Sequence, residues 1–178
     1  MTVEELRDQS KRLSRADAWS DLIGALIAER STVEKDFVLS WDLGWAYFKL
    51  EECEQSILWL QRAKALQPAD AKARWALGQA LLDAGRAAEA ELELLQSIVL
   101  RDTYFARMSL AMLYLQAGRI SEAERVHVEG TRLAPDDGRR LGAYADFLLD
   151  AGRVAESEEV RRRVKAARLA DDGPSGDD

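Results

Sequence analysis

The side chains able to carry covalent or acid–base chemistry are few in this sequence. His127 is the single histidine and Cys53 the single cysteine, so neither a multi-histidine zinc site nor an internal disulfide can form. Adjacent carboxylates at Asp136-Asp137 and Asp171-Asp172 lack the alternating spacing of a calcium loop. The sequence contains no phosphate-binding glycine loop, GxSxG nucleophile motif or HExxH pair. We therefore predict no catalytic residue, no metal ligand, no cofactor and no enzymatic activity.

Another group of side chains has the type and spacing for apolar contact with a protein. Trp41, Trp45 and Phe48 follow one another at intervals of four and three residues, which places all three on one stripe of a helix. Aromatic surface of this extent, where it is exposed, marks a binding site. The aromatic residues between positions 41 and 48 therefore indicate binding rather than catalysis.

The composition is that of an ordinary globular chain, with 178 residues, 47% hydrophobic and 32% charged. Four of the acidic residues behind the net charge of -7 lie in residues 171–178, so the rest is only mildly acidic, which argues against nucleic-acid binding. Residues 1–5 show no basic start and no apolar stretch, so no signal peptide is expected. No apolar run approaches the roughly 20 residues of a membrane span. We expect a cytoplasmic protein with no membrane partner.

Three series of residues recur every 33 or 34 positions, which indicates a repeated structural unit. The first series consists of similar six-residue segments that begin at Gly85, Gly118 and Gly152, with a weaker copy at Glu51. The second comprises Leu43-Gly44 with Tyr47, Leu77-Gly78 with Leu81, Leu110-Ala111 with Tyr114, and Tyr144-Ala145 with Leu148. The third is Pro68, Asp102 and Pro135.

The repeated residues are those needed to build pairs of helices. Gly85, Gly118 and Gly152 fall between two helical segments, where a left-handed residue reverses the chain. Small residues at Gly44 and Gly78 lie inside the first helix of a pair and allow the second helix to approach closely. The prolines mark the end of the second helix.

With these residues the chain resembles the tetratricopeptide repeat (TPR) family, whose pattern runs over 34 residues. Residues 37–70, 71–103 and 104–137 resemble full repeats, although Asp102 replaces the proline of the second. Residues 138–169 resemble a C-terminal repeat and cap. The resemblance implies an all-α fold, a right-handed superhelical solenoid of antiparallel helix pairs with about five helical hairpins.

The two ends of the chain match the family less well. Residues 3–36 are interpreted as a degenerate hairpin, with Asp17 as the N-cap of the helix that begins near Trp19. Residues 1–170 are predicted to form one domain. The acidic residues 171–178 are predicted to be a disordered tail.

The family lines a concave groove with its first helices, and the register of the repeats transfers this role to particular residues. The partner-binding residues so implied are mainly apolar, namely Val38, Trp41, Trp45, Phe48, Trp75, Gln79, Phe105, Met108 and Met112. Some family members hold a carboxylate in this groove with lysine, asparagine and arginine, and those positions here are Trp41, Trp45, Ala76, Phe105 and Ser109. The register also places His127 where the family has a packing aromatic residue.

The resemblance implies a protein–protein interaction module, an adaptor or chaperone-like protein that holds a peptide or helix of a partner in an apolar groove. Two alternatives to an open groove remain for the aromatic stripe, namely burial under residues 3–36 and burial in a homodimer. The second would make the chain a self-associating structural scaffold. A bacterial secretion-type chaperone is a narrower alternative, suggested by size, acidity and repeat number.

Overall fold

The computed structural model describes residues 1–171, with side chains up to residue 166, and every regular element among them is a helix. In chain order the helices are α1 (Val3–Arg15), α2 (Trp19–Ala28), α3 (Arg30–Val33), α4 (Phe37–Lys49), α5 (Cys53–Leu66), α6 (Ala71–Asp83), α7 (Ala87–Leu100), α8 (Tyr104–Gln116), α9 (Ile120–Leu133), α10 (Gly138–Asp150) and α11 (Val154–Asp171). The predicted all-α class of antiparallel helix pairs is confirmed. Of the predicted tail, Asp171 ends α11 and residues 172–178 lie outside the described residues. None of the described helices has the length and apolar character to cross a bilayer.

The chain forms two compact units, Met1–Asp102 and Thr103–Asp178, here called unit 1 and unit 2. Unit 1 contains α1 to α7, and part of its core joins the N-terminal helices to α4 and α5. That core comprises Leu6, Leu22, Leu26, Val33, Leu39, Leu43, Ala46 and Trp59. Unit 2 contains α8 to α11 and buries apolar residues from each of them, including Leu110, Ala123, Leu141, Leu148 and Val160.

Short polar side chains begin the first helix of each hairpin from α4 onward. In each case a side-chain oxygen accepts from a backbone N–H of the first turn, at 2.6 to 3.2 Å. The capping residues are Asp36, Asp70, Thr103 and Asp137. Each cap satisfies a donor that the helix itself cannot, and such a cap stabilises a helix by about 1 kcal/mol.

The prediction that Asp17 caps α2 is wrong. Asp17 has φ 53, so it is the left-handed residue that reverses the chain after α1. Its carbonyl accepts from the Trp19 N–H, and Ala18 occupies the N-cap without a side-chain hydrogen bond. A capping residue needs an extended backbone, which Asp17 does not have.

The glycines between paired helices have the left-handed backbone that the sequence predicts. Gly85, Gly118 and Gly152 show φ of 72, 70 and 75. Glu51 occupies the corresponding place between α4 and α5 with φ 62, although a left-handed backbone is unfavourable for a residue with a side chain. The same turn therefore recurs in all four hairpins, whether or not glycine is present.

The small residues inside the first helices allow close packing, as predicted. A Cβ added to Gly44 would lie 2.7 Å from Leu60 Cγ, and one added to Gly78 would lie 2.8 Å from Leu94 Cγ. Both leucines are fully buried. Each leucine of the second helix therefore rests directly on the backbone of the first helix.

Alanine at Gly78 should destabilise unit 1, since overpacking a filled core costs about 1–3 kcal/mol. Gly24 in α2 is the matched control, because nothing lies within 4 Å of a Cβ placed there. Gly24→Ala should instead raise the free energy of unfolding by about 0.5–1 kcal/mol, from the lower backbone entropy of the unfolded chain. Urea unfolding followed by tryptophan fluorescence measures both changes, since all five tryptophans lie in unit 1. Equal stabilisation by the two substitutions would contradict the close helix contact.

Candidate partner-binding surface

Helix α4 presents different faces to the N-terminal helices and to the surface. Leu39, Leu43 and Ala46 are fully buried and belong to the core shared with α1 and α2. Trp41, Trp45 and Phe48 lie outside that core and are half-buried. The N-terminal helices therefore pack on the aliphatic face of α4, while part of each aromatic ring remains accessible.

Four aromatic side chains of unit 1 form one continuous group, here called the aromatic cluster: Trp41, Trp45, Phe48 and Trp75. The Trp45 ring centroid lies 5.5 Å from that of Trp41, 4.8 Å from that of Phe48 and 5.5 Å from that of Trp75. Its contacts with Trp41 and Phe48 are stacked and its contact with Trp75 is tilted. Both geometries are favourable for aromatic rings. Trp45 thus joins α4 to α6 and lies at the centre of the cluster.

One charged residue contacts the aromatic cluster, and an opposite charge interacts with it. The Lys72 ammonium lies 3.5 Å from the centroid of the Trp41 ring, in a cation–π contact. The Asp42 carboxylate accepts from the Ser10 hydroxyl of α1, and burial raises the pKa of Asp42 although that hydrogen bond opposes the rise. The Lys72 ammonium therefore covers one ring face of Trp41, and it belongs to a flexible, exposed side chain.

Trp41 carries an additional polar group inside the cluster. Its indole Nε1–H is buried and has no hydrogen-bond acceptor among the described residues. A buried donor without a partner costs about 1–3 kcal/mol. The ring is thus held in place by its aromatic and cationic neighbours despite an unfavourable polar contribution.

The other residues predicted to bind a partner are divided between the two units. In unit 1, Val38 is exposed on α4 and Gln79 is half-buried on α6. In unit 2, Phe105 and Met112 are exposed on α8, with Met108 half-buried between them. Their spacing of three and four residues places these last three on one apolar stripe of α8. The structure therefore brings together the residues of the aromatic cluster and, separately, the α8 stripe.

The sequence reasoning did not select Lys72 and Asp42 as binding residues, although both lie at groove positions of the family register. The signal available was their position beside Trp41 on the predicted face. What the sequence could not give was the direction of the Lys72 side chain. Among the described residues, no group of three or more His, Cys, Asp and Glu side chains could hold a metal ion.

His127 is buried among rings in unit 2. Its ring lies 5.2 Å from Phe147 and 6.1 Å from Tyr144, both on α10. Burial lowers the pKa of His127 to about 4, because the charged form loses its hydration. The histidine is therefore neutral at pH 7 and packs as an aromatic residue, in keeping with its position in the register.

This burial predicts that protonation of His127 destabilises the folded chain. The unfolded chain binds the proton near pH 6.5 and the folded chain near pH 4, so the stabilisation is complete above pH 6.5 and is lost as pH falls towards 4. The loss amounts to up to about 3 kcal/mol. His127→Leu, which restores the residue type of Leu60 and Leu94 in the earlier repeats, should remove it.

Urea unfolding followed by far-ultraviolet circular dichroism at pH 7 and pH 4.5 measures the effect. Carboxylates titrate in the same range in both proteins, so the difference between wild type and variant isolates the histidine. Equal pH dependence in the two proteins would show that His127 does not contribute.

Comparison with known proteins supports the repeat assignment. A sequence profile of the tetratricopeptide repeat family matches residues 40–104. No curated protein sequence is significantly similar to the chain. Among solved structures, MamA from Desulfovibrio magneticus RS-1 is 15% identical, with a TM-score of 0.75 and coverage of 96% of this chain and 97% of that one.

Two other solved structures are similar to the chain over most of its length. MamA AMB-1 is 22% identical at a TM-score of 0.67, covering 96% of this chain and 92% of that one. A tetratricopeptide repeat protein from Parabacteroides merdae is 19% identical at a TM-score of 0.71, covering 91% and 64%. Such identities are evidence for a shared fold alone. Residues 40–104 therefore carry tetratricopeptide repeats, the interaction modules that the sequence predicts, and the chain has the fold of proteins built from them.

Proposed function

We propose that the chain is an adaptor or chaperone-like protein whose aromatic cluster binds an apolar segment of a partner protein. The observation that carries this proposal is the arrangement of Trp41, Trp45, Phe48 and Trp75. Four large rings from two helices are joined through Trp45, while each remains partly accessible. A core residue would be covered completely, as Leu39 and Leu43 on the same helix are.

The physical properties of the cluster suit recognition of another protein. Tryptophan offers a large apolar area with few rotatable bonds, so little conformational entropy is lost when a partner orders it. The three rings of α4 lie within eight residues, which is about two turns of helix. A short helical or extended segment of a partner matches this length.

Charged residues at the edge of the cluster add orientation to this apolar contact. Lys72 lies over the Trp41 ring, and the opposite charge of Asp42, the next residue in α4, acts on Lys72. Polar groups around an apolar centre are the usual arrangement of a binding site between proteins. In unit 2 the stripe of Phe105, Met108 and Met112 offers a second apolar surface, and methionine adapts to differently shaped ligands.

Replacement of the central ring tests the proposal. Trp45→Ala should abolish retention of the main partner in affinity purification. With the purified partner, the substitution should weaken binding by about tenfold or more, because such an anchor residue contributes at least about 1.4 to 2 kcal/mol to the binding free energy. Leu92→Ala is the matched control, because Leu92 is 62% exposed on α7 and lies outside the cluster. Circular dichroism verifies that both variants are folded. A folded Trp45→Ala protein that keeps wild-type affinity would disprove the proposal.

Light scattering coupled to size-exclusion chromatography tests the scaffold alternative. A wild-type monomer at high concentration agrees with an accessible cluster. A wild-type dimer that becomes a monomer on Trp45→Ala substitution would instead assign the cluster to self-association.

A further inference from the structure

Helix α7 exposes an apolar stripe on its outer side. Leu92, Leu95 and Val99 are 62%, 41% and 86% exposed, and the exposed Ala88 precedes them. The intervals of four, three and four residues are those of the a and d positions along one face of a helix. These four residues are here called the α7 stripe. A contiguous apolar surface of this kind marks contact with another protein chain.

The packing of the hairpin does not account for the α7 stripe. The inner side of α7 is a different one, on which Ala90, Leu94 and Ser97 are buried. Ser97 Oγ donates to the Ala71 carbonyl of α6 at 2.8 Å, so this inner side faces the first helix of the same hairpin. The stripe therefore lies away from the contacts that hold α6 and α7 together.

The corresponding faces of the other second helices are interrupted by polar side chains. In the repeat register, the same four positions on α5 hold Glu54, Leu58, Gln61 and Ala65. On α9 they hold Ser121, Arg125, Val128 and Arg132. On α11 they hold Ala155, Glu159, Arg162 and Ala166. Polar side chains are usual on a helix face that meets only water, so the uninterrupted apolar face distinguishes α7 from these three helices.

The order of its residues makes the α7 stripe complementary to itself. The intervals of four, three and four read the same in both directions, so an identical helix that runs antiparallel presents the same pattern. In that arrangement Leu92 faces Leu95 of the second copy. Ala88 likewise faces Val99, which pairs a small side chain with a larger one. Every contact along the seam is then apolar, as in helices that pack through their a and d positions.

The charged residues of α7 also favour an antiparallel arrangement. Glu89 and Glu91 flank the stripe in the N-terminal half of the helix, and Gln96 and Ile98 flank it in the C-terminal half. An antiparallel copy therefore places each carboxylate beside the uncharged half of its partner. A parallel copy would gather the carboxylates of both helices at one end, which is less favourable because like charges repel.

We propose that two copies of the chain associate through the α7 stripe, with the two helices antiparallel about a two-fold axis. Such an interface is isologous, since each copy contributes the same surface. Leu92 and Leu95 of both copies form its centre, and their removal from water supplies the driving force. Two stripes of four residues make a small contact, so the dimer forms reversibly and depends on protein concentration.

Light scattering and sedimentation velocity of the full chain, over a roughly hundredfold concentration range, test the proposal. We expect wild type to pass from monomer to dimer as concentration rises. Leu95→Lys places a charge at the centre of the interface and should raise the dissociation constant by about tenfold or more. Val128→Lys should leave the dimer unchanged and is the matched control, because Val128 has the same register position on α9 and is 44% exposed.

Several outcomes would overturn the proposal. One is a wild-type chain that stays monomeric at every concentration, which would leave the stripe to a different protein. Another is equal dissociation of the dimer by the two lysine variants, with circular dichroism verifying that both are folded. The third is a dimer that Trp45→Ala abolishes and Leu95→Lys does not, which would place self-association at the aromatic cluster. Because the α7 stripe and the aromatic cluster share no residue, the proposal does not rest on the proposed function.

Cross-linking tests the antiparallel arrangement. In a Cys53→Ser background, Leu92→Cys and Leu95→Cys chains would be oxidised mildly, each alone and mixed in equal amounts. The proposed pairing of Leu92 with Leu95 predicts that disulfide-linked dimers form faster in the mixture than in either sample alone. Linkage that is no faster in the mixture would contradict the antiparallel pairing.

Discussion

The close contact between the two helices of a hairpin determines how the rest of unit 1 is arranged. Leu60 rests on the backbone of Gly44, and Leu94 on that of Gly78, with no space for a methyl group between them. One face of each first helix therefore packs against the second helix of the same hairpin. A second face of α4 packs against the N-terminal helices, through Leu39, Leu43 and Ala46. Only the remaining face is available for the aromatic cluster.

Departures from the repeat pattern have physical consequences of their own. In the third repeat Ala111 replaces the glycine, His127 replaces the leucine and Gly130 replaces Ser97 of the second. The packing around His127 relies on the rings of Tyr144 and Phe147 instead of on an aliphatic side chain. Unit 2 consequently contains a titratable side chain where unit 1 contains leucine, and a glycine where unit 1 contains serine. The repeated backbone supplies a framework, and substitutions within it create local chemistry.

Much of this architecture could be predicted from the sequence because it depends on interactions between residues close in the register. The 33- and 34-residue periods indicated helix pairs, the glycines indicated left-handed turns, and the spacing of Trp41, Trp45 and Phe48 indicated a shared face. The cap at Asp17 was predicted wrongly, because a polar residue before a helix can either cap it or reverse the chain. The backbone conformation that separates these cases depends on how α1 and α2 pack.

The binding surfaces could be predicted only in part from the sequence. The position of Lys72 over Trp41 depends on the rotamer of a long side chain, which no periodicity encodes. The approach of Arg107 and Arg140 to Gly130 depends on the packing of three helices. Register alone places Arg107 on the inner side of its helix, next to α9.

Glu51 adopts at φ 62 the conformation that glycine adopts in the other hairpins. A left-handed glutamate costs about 1 kcal/mol relative to glycine, yet the reversal between α4 and α5 is the same. The packing of Leu60 on Gly44, rather than the residue in the turn, thus decides where this hairpin reverses. Glu51 and Glu52 are both exposed. For protein engineering, the α4–α5 turn is accordingly suited to carry a label or an inserted segment without a change in the pairing of its two helices.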